Sequence, residues 1–439
     1  MNSTGRIVLI LIMPITVNPI YIIINFLSLF PKVSNPIGLF FLAAVFFFAC
    51  YTSYAQDTTQ KKQSLEDSVA YWNSQLDIAD IAKRIISNNT PRKNDDSKVH
   101  ASLIPAFGYS LQTGFAGVLS TNLGFYTGRQ QSQKISSILS SLAYTQYKQV
   151  IFPIQGSIWT KKDLYNITID CKYLNYPSIT YGLGGKSKLT DGYNIDFNYI
   201  KLHPSILRKI HRYLYAGLGF YYDRLWNIRE INPPKGVITD FEKYGLTSSA
   251  TASGIAFRIL IDTRRNQINP KTGWYVNITD RPNYKFLGSS NNWHSFVAEF
   301  RRYFTFPTHP KSVLALWSYN WLTLGGSPPY LLLPSTGWDE YSNLGRGYIQ
   351  GRYRGRQMIY LEAEYRFGIT NNGLLGGVFF ANAQSYSKDF SKQFATIEPA
   401  AGFGIRVKLN KFSGANLCVD YGFGIDGSRG FFVNLGEIF

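Results

Sequence analysis

The side chains best equipped for chemistry in this chain are charged. Gly345-Arg346-Gly347-Tyr348 is followed by Gly351-Arg352-Tyr353-Arg354, then by Glu362 and Glu364, two acids one residue apart. A guanidinium presents a planar fork of donors that a carboxylate accepts bidentately, which makes the pair both strong and directional. In open solvent such a pair contributes little. Inside a restricted space it would fix one segment against another, with the glycines allowing close backbone approach and Tyr348 adding a rigid surface. Two outcomes are open. Arg346 docks on Glu362 or Glu364, or it stays solvated while those acids pair with Arg366 or Arg406.

A second charged group is Asp262-Thr263-Arg264-Arg265-Asn266, followed by Pro270, Gly273 and Trp274. An aspartate beside two arginines stabilises a turn and the strand leading into it; a direct part in handling another protein is the alternative. Enzymatic chemistry finds no support. His100, His203, His211, His294 and His309 show no metal-ligand spacing. No Gly-x-Ser-x-Gly elbow or phosphate-binding loop is present. No catalytic residue, cofactor or metal is therefore expected, and the chain does not read as an enzyme.

The elements that must position these groups alternate with period two from Ala101 onward. Tyr165, Ile167, Ile169, Cys171 and Tyr173 oppose Asn166, Thr168, Asp170 and Lys172. Ile359, Leu361, Ala363, Tyr365 and Phe367 oppose Tyr360, Glu362, Glu364 and Arg366. Charge on one face and unbroken apolar residues on the other would be wrong for a soluble sandwich with an apolar interior. The pattern suits a transmembrane barrel with a wet lumen, which must close because lipid cannot satisfy a free strand edge. The composition agrees, with 16% aromatic and 16% charged residues, 31 Tyr and 38 Gly. The expected fold is all-β: a 16-stranded antiparallel transmembrane β-barrel over 101–439, its last strand running 430–439, preceded by a short N-terminal periplasmic segment. Short turns would lie at the periplasmic end, and a long loop, 326–355, would fold inward from the other.

Residues 1–55 are different material. Two apolar runs end in Ser53-Tyr54-Ala55-Gln56, whose small residues suit signal-peptide cleavage after Ala55. Export to the outer membrane follows, with 1–55 removed. Residues 56–100 would form a periplasmic helix over 64–86 and a charged linker. Cys171 and Cys418 fall on opposite strand faces, which argues against a disulfide. The net charge of +18 is scattered through turns, so it points to anionic lipid headgroups and not to nucleic acid.

These motifs together resemble the BamA/TamA-type superfamily of outer-membrane barrels, the bacterial surface antigen family. Arg346-Gly347-Tyr348 is similar to that family's inward-folding loop tip. Asp262-Thr263-Arg264 with Pro270 and Gly273 is similar to its periplasmic turn, and the ending Leu435-Gly436-Glu437-Ile438-Phe439 to its closing strand. Gly345 and Gly355 depart from the family pattern, and no substrate-binding POTRA repeat is seen ahead of the barrel. The resemblance implies an assembly or translocation barrel that assists insertion or export of outer-membrane or surface proteins. It further implies a lateral seam between first and last strands, marked by Pro105, Gly436 and Phe439. The expected partners are outer-membrane lipids including lipopolysaccharide and unfolded outer-membrane protein clients, around a monomeric barrel. A passive small-solute channel or a structural barrel is the alternative.

Overall fold

Alternation of apolar and polar residues folds the described part of this chain into one antiparallel sheet of eighteen strands. The computed structural model describes residues 75–78, 80, 81 and 99–439, apart from 111, 129–132, 234, 307, 389, 390, 395 and 412. The leader 1–55 and most of the helical stretch 64–86 lie outside the described residues. Of that stretch, Ile78, Asp80 and Ile81 are helical.

The strands are β1 Val99–Ser110, β2 Gly114–Phe125, β3 Ser136–Thr145, β4 Val150–Trp159, β5 Tyr165–Asn175, β6 Ser178–Thr180, β7 Tyr193–Leu202, β8 Ser205–His211 and β9 Leu214–Ile231. They continue with β10 Ser249–Asp262, β11 Gly273–Asn283, β12 Trp293–Phe306, β13 His309–Gly326, β14 Gln357–Gly368, β15 Leu375–Tyr386, β16 Glu398–Lys408, β17 Asn416–Phe423 and β18 Arg429–Leu435. The two strands beyond the expected sixteen have local causes. His203-Pro204 interrupts one stave, so β7 and β8 lie end to end between β5 and β9. β6 is a three-residue flap on β7. Counted as staves around the ring, the sheet still has sixteen.

Burial follows the pleat. Leu103, Phe107, Leu119, Leu142, Ile206, Leu218, Phe257, Phe379 and Phe403 are exposed on the outer face, while Asp170, Asp223, Arg258, Glu299, Glu362 and Glu364 are buried inside. This is the inverse of a soluble core and the arrangement a lipid-facing barrel requires. Among the described residues no helix is long and apolar enough to cross a membrane. Cys171 lies half-buried in an outward row and Cys418 is buried within, so the free thiols occupy opposite faces.

The last strand differs from expectation. β18 stops at Leu435, seven residues long. Gly436 takes φ +93°, a backbone region that favours glycine, and the chain turns inward. Phe439 therefore does not lie at the strand edge. It is buried inside the barrel, its ring stacked 5.0 Å from Trp317 and 6.3 Å from Tyr303.

Candidate functional site

The connection 327–356 between β13 and β14 folds back on itself. Thr336 N donates to Tyr353 O and Gly351 N to Thr336 O. The Asp339 carboxylate gathers the backbone N–H groups of Asn343 and Leu344, each at 2.9 Å. That bend delivers Arg346 to the inner wall. Gly345 and Gly347 hold φ of +79° and +106°. A Cβ on Gly347 would sit 2.7 Å from the Ala400 Cβ, so the loop tip fits only because this residue has none.

Arg346 is almost fully buried and meets three carboxylates. It pairs with Glu362 and Glu364 on β14, and Nη1 reaches Asp420 on β17 at 2.5 Å. Its guanidinium lies 3.8 Å over the Phe380 ring of β15, and its carbonyl accepts from Asn382 Nδ2 at 2.9 Å. Tyr348 OH donates to Pro399 O at 2.5 Å and accepts from Ile425 N at 3.2 Å. Both pairings left open by the sequence occur together. Arg366 also pairs with Glu364 at 2.6 Å, and Arg406 with Asp420 at 2.5 Å. Asp420 was not singled out by sequence, although its place between Cys418 and Gly422 on an alternating strand puts it on the inner face.

The inward-turned tail joins the same network. Glu437 pairs with Arg406 at 2.9 Å and accepts from Asn416 Nδ2 at 2.6 Å. Ile438 O accepts from Asn343 Nδ2 of the loop at 2.7 Å, and Phe439 O from Arg366 Nη2 at 3.0 Å. Loop, strands β14–β17 and tail are thus one buried ionic unit. A removed partner in such a unit leaves a desolvated charge behind, which is the costly outcome.

The turn after β10 is ordered by Asp262, which is fully buried. Its carboxylate accepts from Arg264 Nε at 3.0 Å and Gln267 Nε2 at 3.0 Å, and pairs with Lys134 of the β2–β3 connection at 3.4 Å. Arg264 lies 4.2 Å over the Tyr275 ring. Thr263 and Trp274 exchange hydrogen bonds, Gly273 takes φ +109°, and Pro270 is buried. The turn leans on another: Asn266 Nδ2 donates to Ser413 O at 2.8 Å, and Ile268 O accepts from Glu437 N at 3.1 Å. The motif therefore bridges from β2–β3 to the tail, a reach that its sequence did not disclose.

Nearby, Leu76 N donates to Asn372 O at 3.0 Å, and Asp77 accepts from Lys411 N at 3.0 Å. Burial alone would raise the Asp80 carboxyl, but Lys411 Nζ at 2.9 Å and hydrogen bonds from Asp77 hold it below the usual carboxylate range.

At the ring's meeting point β1 and β18 run side by side. β1 pairs with β2 over its full length and β18 with β17 through Leu435. Among the described residues no paired register joins β1 to β18. Pro105 sits mid-strand on β1, opposite Leu119, and faces outward with Leu103 and Phe107. Pro105 thus lies within β1 and Gly436 just past the end of β18, while Phe439 is buried inside the barrel. Within the lumen the loop separates cavities of about 140, 310 and 460 Å³. The 460 Å³ cavity has small uncharged side chains of β1–β4 on one side, among them Ala106, Ala116, Ser120 and Ser137, and charged groups such as Arg258, Asp262, Arg264 and Arg301 on the other, and it touches the tail.

Solved structures with a similar chain path include BamA from Haemophilus ducreyi lacking POTRA domains 1-3, with 14% identity and TM-score 0.50 over 76% of this chain and 70% of that one. CdiB from Acinetobacter baumannii (13%, TM-score 0.49) and CdiB from Escherichia coli (12%, TM-score 0.49) each align over 78% of this chain. The alignments cover 60% and 63% of those chains, so this chain spans less than two thirds of either. At such identities the likeness concerns the fold. No curated protein matches the sequence. Residues 153–439, which carry Arg346, its three carboxylates and the Asp262 turn, match the Omp85 superfamily domain, and the chain belongs to that superfamily of outer-membrane assembly and translocation barrels.

Proposed function

We propose that this protein assists the insertion or export of outer-membrane or surface proteins through the seam between β1 and β18, with the docked loop 327–356 holding the barrel in shape. The observation that carries this reading is the unequal edge. β1 offers twelve residues and β18 only seven, with the rest of the chain turned inside. In this reading the longer edge of β1 receives the incoming strand, since β-strand addition draws affinity from main-chain hydrogen bonds. The ionic unit beneath the seam supports the same reading, since it keeps β14–β17 rigid while the edge strands exchange partners. Leader removal after Ala55 and contact with lipopolysaccharide and unfolded clients belong to this proposal. The divided lumen weighs against a passive solute channel.

The test is the quantitative outer-membrane proteome of a strain lacking this protein, complemented with wild type or Arg346→Ala. A defined set of barrels or surface proteins should fall and return with wild type alone. An unchanged proteome would overturn the reading.

A further inference from the structure

The short-turn end of the barrel carries an unusual rim where the β4–β5 turn meets the β8–β9 hairpin. Lys161 and Lys162 in the turn, and Arg208, Lys209 and Arg212 in the hairpin, bring five cations together. The two pieces are fastened: Lys209 N donates to Leu164 O at 2.8 Å, Lys209 Nζ to Lys162 O at 3.4 Å, and Tyr165 pairs with Arg208 across the ladder. Among the described residues no ion pair engages Lys161, Lys162, Arg208 or Arg212. The one acid in the turn, Asp163, already accepts from Lys134 N at 3.0 Å. Arg212 lies 5.1 Å over the Tyr213 ring.

The position of Arg208 makes the rim more than a solvated turn. It belongs to the outward row of β8, between Ile206, 57% exposed, and Ile210, 61% exposed. Leu164, Tyr165 and Tyr213 are exposed beside it. A guanidinium in a lipid-facing row must reach up to the interface and find an anion there, its stem lying along the acyl chains. Tyrosines flanking it are the side chains that sit at headgroup level. A free phosphate or an acidic peptide would engage the turn lysines but would leave Arg208 and its apolar neighbours unexplained.

We propose that the β4–β5 turn and the β8–β9 hairpin form a binding site for the headgroup of an anionic glycerophospholipid in the leaflet at the short-turn end. Lys161, Lys162 and Arg212 meet the headgroup from the aqueous side, and Arg208 meets the phosphate from within the bilayer. Each basic residue near an anionic surface changes binding roughly fivefold.

The experiment reconstitutes the full chain in nanodiscs with equal phosphatidylglycerol and phosphatidylethanolamine, then counts retained lipids by native mass spectrometry. The variant Lys162→Gln/Arg208→Gln/Arg212→Gln is compared with a control at the long-loop end, Lys186→Gln/Lys188→Gln/Lys235→Gln. Wild type and control should retain phosphatidylglycerol preferentially, and the rim variant should lose that preference by at least about tenfold. Heat-modifiable migration on a gel reports folding of each variant. Should the triple variant misfold, Arg212→Gln alone should still cost roughly fivefold. The proposal is overturned if wild type shows no preference, if the rim variants keep it, or if the loss follows the control substitutions.

Discussion

Arg346 is a cation held by three acids from two strands, and its removal cannot be neutral. Arg346, Arg366 and Arg406 face Glu362, Glu364, Asp420 and Glu437, so the unit already has more carboxylates than guanidinium groups. Arg346→Ala should destabilise the folded barrel by about 3–5 kcal/mol, read as a lower midpoint of heat-modifiable migration. Arg346→Lys keeps the charge but offers a point where a planar fork spans β14 and β17, and should fall between wild type and alanine. An Arg346→Ala midpoint equal to wild type would remove the locking role. At the other end, Asp262→Ala strands Arg264 and Lys134 together in a buried turn. A loss of about 3–5 kcal/mol is expected, whereas Lys134→Gln alone should cost less because Arg264 remains. The inner-face positions of these residues could be read from the pleat. Their partners could not, because Asp420 lies 74 residues from Arg346 and Lys134 lies 128 residues from Asp262; only the ring brings them within reach.

At the scale of elements, the seam carries the sharpest expectation. A photo-crosslinking residue at Phe107 on β1 or Phe431 on β18 should capture protein partners in cells. The same probe at Phe379 on β15, also outward-facing, should not. Equal capture at all three positions would speak against a special edge. Gly436→Ala forces a Cβ into a left-handed conformation that costs about 1–2 kcal/mol, and should loosen the tail, seen as faster amide exchange at Glu437 and Ile438. Most strands were legible because their alternation is uninterrupted. β8 escaped because His203-Pro204 breaks the run that continues into Ile206. The tail was misplaced because Phe431, Val433 and Leu435 suggest a strand that simply runs on to Phe439. Glu437 held the missing signal. On a continued strand it would face lipid with Phe431 and Val433, which a carboxylate cannot do cheaply, so the chain had to turn before it.

For the molecule as a whole, the folded-back loop occupies the lumen against a charged inner wall. With lumen space split into cavities of about 140, 310 and 460 Å³, wild type should show little conductance in planar bilayers. Deletion of 327–356 should raise it severalfold; a large wild-type conductance would favour the channel alternative. The charge pattern also divides the ring. β1–β4 line their cavity with small neutral residues, while β5 and the later staves carry the ionic groups. The seam thus joins two unlike sides: β16 and β17 carry buried ion pairs, and β1–β4 are joined through their backbone ladders.

The inward tail bears on how the barrel is built. Tyr303 and Trp317 form an aromatic socket on β12 and β13 that Phe439 fills, more than a hundred residues later in the chain. Until that ring arrives, the socket stands open to the lumen and Arg366, though paired with Glu364, lacks its contact with Phe439 O. A partly assembled barrel is thus chemically distinct from a finished one on its inside, not only at its edge. The turn at Gly436 both ends the closing strand and brings Phe439 into the interior.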